Sequence, residues 1–192
     1  MSSNSNGLRP ASLTLRKARM HDVPAMARLI NDYASREIML ARNEMELAEW
    51  MRDFTIAEMD TGSGVDLVGC VALHFYTQTA AEVRSLAVHP EHARHGIGRR
   101  LMETIETEAR ECELAMLFAF TYVPDFFAKL GYELVNRDVL PLKAWKDCLR
   151  CPKFQNCDEI AVLKRLRDIE LRPVERVGMV TAELVQLPTL RP

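Results

Sequence analysis

Polarity alternates over Leu13-Thr14-Leu15-Arg16-Lys17, which predicts a first strand. Asp22 then stands as an N-cap with Pro24 in the first turn, opening a helix that runs to about Tyr33. A second helix is expected after Asn43, whose spacing to Glu46 resembles a capping box; it carries Met45, Leu47, Trp50, Met51 and Phe54. Thr61-Gly62-Ser63-Gly64 reads as a turn between strands. Strands follow at 65–77, 81–88 and 115–121, with closing strands at 132–135 and 160–165. Strands and helices interleave around a central antiparallel meander, so the fold class is α/β or α+β: a mixed central sheet flanked by helices.

One junction stands out within this pattern. The strand ending Leu86-Ala87-Val88 meets His89-Pro90, and a loop through Ala93-Arg94-His95-Gly96 opens a helix at Ile97-Gly98-Arg99-Arg100. That helix places Ile97, Leu101, Ile105 and Ala109 on one face. Glycines let a backbone approach a ligand, and the first N–H groups of a helix lack internal acceptors. With Arg94, His95, Arg99 and Arg100 around it, the junction suits an anion such as pyrophosphate. A G-x-G fragment alone fits an ordinary tight turn equally well; the surrounding order of motifs decides between the two.

That order, L-A-V-H-P, then the basic G-I-G-R-R-L, then F-F-A-K-L-G-Y about thirty residues on, resembles the acetyl-CoA-binding core of the GNAT N-acetyltransferases. The resemblance implies that Leu86, Ala87 and Val88 bind the pantetheine arm. It assigns the pyrophosphate to Ala93, Arg94, His95, Gly96, Ile97, Gly98 and Arg99. Ala93 departs from the Arg or Gln usual there, which removes one side-chain contact and leaves the amide cradle. Acetyl-CoA is then a co-substrate.

A narrower resemblance rests on I-M-L-A-R-N (38–43), G-C-V-A-L-H (69–74), A-E-V-R-S-L-A-V-H-P (81–90), 118–132, and L-P-L-K-A-W-K-D-C-L-R-C-P-K-F (140–154). These segments look like the short-form bacterial N-acetylglutamate synthases of arginine biosynthesis. The family reading makes Arg42 a contact for the substrate carboxylates and points to Lys143 and Lys146 as partners. Ala41 and Asn43 flank Arg42 where relatives commonly have Pro and Ser.

Amine acetylation requires that an ammonium lose a proton, that a carbonyl oxygen be stabilised and that a thiolate leave. Glu82 is the candidate base, at the start of the strand leading to the cofactor loop; strand alternation puts Glu82, Arg84, Leu86 and Val88 on one face. Arg84 joins Arg42 as a candidate cation for carboxylate. The family's usual acid is a tyrosine where this chain has Phe127, so Tyr122 and Thr121 are the local hydroxyl candidates.

Composition narrows the setting. A chain of 192 residues with formal net charge −2 is expected to form one acetyltransferase domain at 13–166, between a lead-in at 1–12 and an extension at 167–192. It is expected to bind neither nucleic acid nor membrane, and homodimer formation is an expectation from fold analogy alone. Five cysteines without a signal peptide point to reduced thiols in the cytoplasm. Cys148, Cys151 and Cys157 have the spacing of a zinc knuckle but lack an evident fourth ligand, so a loop of free thiols is the favoured reading. Three rivals to glutamate acetylation stay open: another acceptor (glutamine, a different amino acid or a protein N-terminus), a non-catalytic acetyl-CoA-binding regulatory module, and a zinc-dependent interaction module.

Overall fold

The computed structural model describes residues 12–60, 64–140, 153 and 157–167. In chain order the elements are β1 (Leu13–Lys17), α1 (Val23–Ala34), α2 (Glu44–Glu49), β2 (Phe54–Asp60), β3 (Val65–Phe75) and β4 (Ala80–Val88). Then come α3 (Ile97–Glu111), β5 (Met116–Thr121), α4 (Pro124–Ala128), β6 (Glu133–Leu134) and β7 (Ile160–Arg165). The seven strands form one mixed sheet in the order β1-β2-β3-β4-β5-β7-β6. Only β4 and β5 pair in parallel, joined by the crossover helix α3 that such a connection requires.

Three local expectations need correction. Asp22 does not cap α1 with its side chain; its carboxylate instead accepts the Arg16 guanidinium at 2.8 Å and the Arg19 N–H at 2.7 Å. The second helix ends at Glu49, and a short turn at Met51–Asp53 delivers Phe54 into β2, a strand absent from the helical reading. Burial explains the difference: Phe54 and Ile56 are both part of the core beneath α1. The closing strand β6 spans only Glu133–Leu134, and β7 inserts between it and β5.

The sheet buries both faces. On one, Ile97, Leu101, Met102, Ile105 and Ala109 of α3 pack on Val71, Leu73, Ala81 and Val83. On the other, Met26 and Ile30 of α1 and Leu47 of α2 cover Phe54, Ile56, Cys70, Ala72 and Ala87. Each fully buried Leu, Ile or Met contributes about 1.5–3 kcal/mol, so these stripes hold the layers together. Gly69 is needed for the α3 contact, because a Cβ there would lie 3.1 Å from both Leu101 Cδ1 and the Ala87 carbonyl oxygen.

A bulge divides β4. Register passes from Ala72↔Arg84 to Cys70↔Ala87, so Ser85 and Leu86 oppose Val71 alone, and Ser85 sits at φ 53°. The extra residue inverts the alternation. Before it, Ala81 and Val83 face α3; after it, Ala87 faces α1, while Leu86 and Val88 pack against the α3 layer. Glu82 and Arg84 therefore do not share a face with Leu86 and Val88, contrary to simple alternation. Pairing with β5 is confined to Ala80–Glu82, although both strands continue. Beyond Glu82 the sheet is parted between β4 and β5.

Candidate active site

On the α3 side the site is made of backbone. Gly96, at φ 78°, precedes α3, and Arg94 is also left-handed at φ 66°. The first amide to bond back into the helix is that of Arg100, to the Gly96 carbonyl at 3.0 Å. The N–H groups of Ile97, Gly98 and Arg99 are thus left at an open helix end, with no acidic residue in the first turn. Ile97 is a core residue and offers only its N–H. Ala93, Arg94, His95, Gly96, Arg99 and Arg100 are exposed, and the Arg99 Nε bonds Glu103 at 2.9 Å. A Cβ on Gly98 would touch Phe126 at 3.6 Å and Val88 at 3.7 Å, placing Gly98 where the loop, α4 and the end of β4 converge.

The parted strands continue this surface. The His89 N–H donates to the Val68 carbonyl at 2.8 Å, so backbone alternation turns the Ala87 N–H toward β3 and those of Leu86 and Val88 toward the gap. The Tyr33 hydroxyl donates to the Val88 carbonyl at 2.6 Å and fixes the end of the strand to α1.

On the opposite face, side chains make the site. Glu82, Arg84 and Arg42 are all buried, with 8, 9 and 6% of their surface exposed. The Arg84 guanidinium carbon lies 4.5 Å from the Trp50 ring centroid and that of Arg42 lies 5.2 Å away, so one indole organises both cations. Asn31 of α1 positions Arg42: its side chain donates to the Arg42 carbonyl (2.8 Å) and accepts the Arg42 N–H (3.0 Å). The next residue, Asn43, caps α2 in the expected box with Glu46. The Tyr76 hydroxyl donates to Glu82 Oε2 at 2.9 Å. His74, directly across the ladder from Glu82, holds Asp53 Oδ2 through Nδ1 at 2.6 Å and lies edge-on to Tyr76.

The hydroxyl candidates are differently engaged. Thr121 is buried, and its oxygen accepts the Val123 N–H at 3.0 Å, shaping the turn into α4. The Tyr122 hydroxyl donates to Asp158 at 2.7 Å, with Lys153 Nζ 3.5 Å away. Burial, then the Asp158 carboxylate, raises the Tyr122 phenol above its usual value, so it keeps its proton at neutral pH. Lys153 also reaches Glu37, bridging the loop before α2 and the segment before β7. Phe127, where the family carries tyrosine, is a core residue against Tyr132.

Lys143, Lys146, Cys148 and Cys151 lie outside the described residues. Cys157 is a half-buried free thiol, and among the described residues no group of three His, Cys, Asp or Glu side chains is arranged for a metal. Cys70 is fully buried, which pushes its thiol up to about 12 and leaves it inert. Among the described residues no helix is long and apolar enough to cross a membrane.

Sequence reasoning missed Trp50, Asp53, His74, Tyr76 and Lys153. Part of the signal was present: alternation along the strand expected at 65–77 puts His74 and Tyr76 on the same side, and His74 lies in register with Glu82. Trp50 carried no comparable mark, because it read as one more apolar residue of the second helix.

The geometry agrees with known proteins. The acetyltransferase (GNAT) domain family matches residues 51–134. An uncharacterized N-acetyltransferase of Chlorobaculum tepidum is 39% identical over 156 residues, covering 81% of this chain and 98% of that one. An amino-acid acetyltransferase of Mycobacterium tuberculosis is 36% identical over 118 residues, 62% of this chain and 67% of its own length. The N-acetylglutamate synthase of Neisseria gonorrhoeae, solved with coenzyme A and N-acetyl-glutamate, superposes with a TM-score of 0.73 at 28% identity. That match covers 83% of this chain but 36% of the synthase, so the chain spans about a third of the longer protein. The open helix end, the parted strands and these relatives agree: the chain belongs to the GNAT family and is an acetyl-CoA-dependent N-acetyltransferase.

Proposed function

We propose that this enzyme acetylates the α-amine of L-glutamate, as an N-acetylglutamate synthase acting in arginine biosynthesis. The observation that carries the reading is the pair of buried guanidiniums, Arg84 and Arg42, over Trp50, with the buried Glu82 two residues before Arg84 on the same strand, on the face opposite the cofactor loop and next to the strand gap. Two fixed guanidiniums suit an acceptor with two carboxylates, since each can bind one in a charge-assisted fork. The amino-acid acetyltransferase relatives and the N-acetyl-glutamate complex of the Neisseria synthase support the same acceptor class.

The chain's own groups divide the reaction. Acetyl-CoA, held by the α3 amides and β4, supplies the thioester carbonyl. Glu82, steadied by the Tyr76 hydroxyl, takes a proton from the ammonium. Arg42 and Arg84 orient the acceptor, and the Leu86 and Val88 N–H groups are the donors available to a carbonyl oxygen in the gap. Tyr122 retains its proton but gives its hydrogen bond to Asp158, so it must turn from that partner to protonate a leaving thiolate. Direct attack in a ternary complex follows, without an acyl-enzyme.

Mass-spectrometric product detection tests the proposal. Protein incubated with acetyl-CoA and, separately, glutamate, glutamine, aspartate, ornithine or a peptide N-terminus should yield chiefly N-acetylglutamate, and Arg42→Ala should abolish the preference. Chief acetylation of another acceptor would overturn the substrate.

A further inference from the structure

Each turnover must export a proton from a place that water reaches poorly. An ammonium becomes an amide by losing two protons; one accompanies the departing thiolate, and the other must reach bulk solvent. Glu82 receives a proton first on the reading above, and only 8% of its surface is exposed. It must be emptied before the next cycle.

The neighbouring side chain has the right chemistry. His74 is the direct ladder partner of Glu82, so their Cβ atoms are about 5 Å apart on the same face. Its Nδ1 is held by Asp53 at 2.6 Å, and both side chains retain about a fifth of their surface in contact with solvent (21% each). A carboxylate on Nδ1 fixes the tautomer, placing the ring proton there and leaving the Nε2 lone pair to accept another. Nε2 bonds none of the described residues. Trp50 and Tyr76 pack against the ring at centroid distances of 5.8 and 5.0 Å and hold its plane. Among the described residues, the charged or titratable groups around it are Asp53 from the turn before β2, Tyr76 just after β3 and Glu82 on β4, with Arg84 and Arg42 beyond Trp50.

We propose that the Asp53–His74 pair is the proton exit of the acceptor site: the proton taken by Glu82 passes to His74 Nε2, directly or through one water, and from there to solvent. The proposal rests on the assignment of Glu82 as base. Glu82 returns to carboxylate as the imidazole becomes imidazolium, and the imidazolium then releases its proton to buffer. His74 acts through Glu82 and is a positioning residue for the proton, while Asp53 positions His74.

Two substitutions separate this role from packing. His74→Asn keeps a donor for Asp53 but has no Nε2 equivalent, and Asp53→Asn removes the carboxylate while preserving size. Turnover is measured with the best accepted amine, in dilute and concentrated buffer and with added imidazole, from about pH 5 to 9. In dilute buffer both variants should lose roughly 10- to 100-fold in kcat with KM for both substrates within about twofold. Added imidazole should restore His74→Asn, and the low-pH limb of the profile should move. Full turnover of His74→Asn in dilute buffer, or a loss that neither imidazole nor buffer restores, would overturn the proposal. Glu82→Gln, run in parallel, should lose about 10²- to 10⁴-fold in kcat with or without imidazole. If it shows that loss while His74→Asn is unaffected, the base stands and the exit falls; if it is fully active, both fall.

Discussion

The two halves of β4 do opposite kinds of work. Before the bulge at Ser85, Glu82 and Arg84 point buried charge at the α1–α2 face, where Trp50, Arg42, Tyr76 and His74 surround them. After it, Leu86 to Val88 offer apolar side chains to the core, and their main chain lines the gap beside the α3 amides. One inserted residue inverts the strand's alternation, so that buried charged side chains precede it and main chain beside the gap follows it. On the proposed function, the donor half needs only correct backbone geometry, and the acceptor half needs particular side chains delivered from distant segments.

The largest test of that division is Glu82→Gln. Loss of the proposed base should lower kcat by about 10²- to 10⁴-fold while coenzyme A affinity, followed by calorimetry, stays within about twofold. An equal fall in both would mean that the halves are not separable. The donor half should respond in the opposite sense. Gly98→Ala adds a methyl that meets only ordinary contacts with Phe126 and Val88, so stability should hold or rise by about 0.5 kcal/mol. The same methyl crowds the helix end, and KM for acetyl-CoA should rise about tenfold with acceptor KM unchanged. Gly96→Ala should cost about 1 kcal/mol of folding stability, because its φ of 78° disfavours a side chain even where space is open.

This contrast also accounts for what the sequence made legible. The glycine loop and α3 are local and contiguous, so Gly96, Ile97, Gly98 and the apolar stripe of α3 could be read directly. Glu82 and Arg84 were read as candidate site residues, but not on their correct face relative to Leu86, because no residue type announces the bulge at Ser85. The proposed acceptor wall is assembled from Trp50 just after α2, the turn at Met51–Asp53, β3, β4 and the loop holding Arg42. Trp50 and Asp53 reach it only through a tertiary arrangement that no local period encodes. Phe54 was misread for the same reason: its burial beneath α1 sets it in a strand.

The smallest effect is a control lying in neither half. Burial raises the Asp22 carboxyl, but hydrogen bonds from Arg16 and the Arg19 N–H outweigh it and hold the group below the ordinary 3.8. A depressed folded-state value contributes stability above pH 3.8 that is lost as pH falls through the lower folded value. Acid titration of Tm should therefore show a shallower fall below that point in Asp22→Asn, with kcat at neutral pH unchanged. A steeper fall would contradict the assignment.

The most direct test of the central claim is the initial-rate pattern of Arg84→Ala with both substrates varied. The account predicts a rise in KM for glutamate of about 10- to 100-fold, the worth of one charged hydrogen-bonding group, with KM for acetyl-CoA unchanged. A rise in KM for acetyl-CoA with glutamate unaffected would place Arg84 on the donor side and contradict the division of β4.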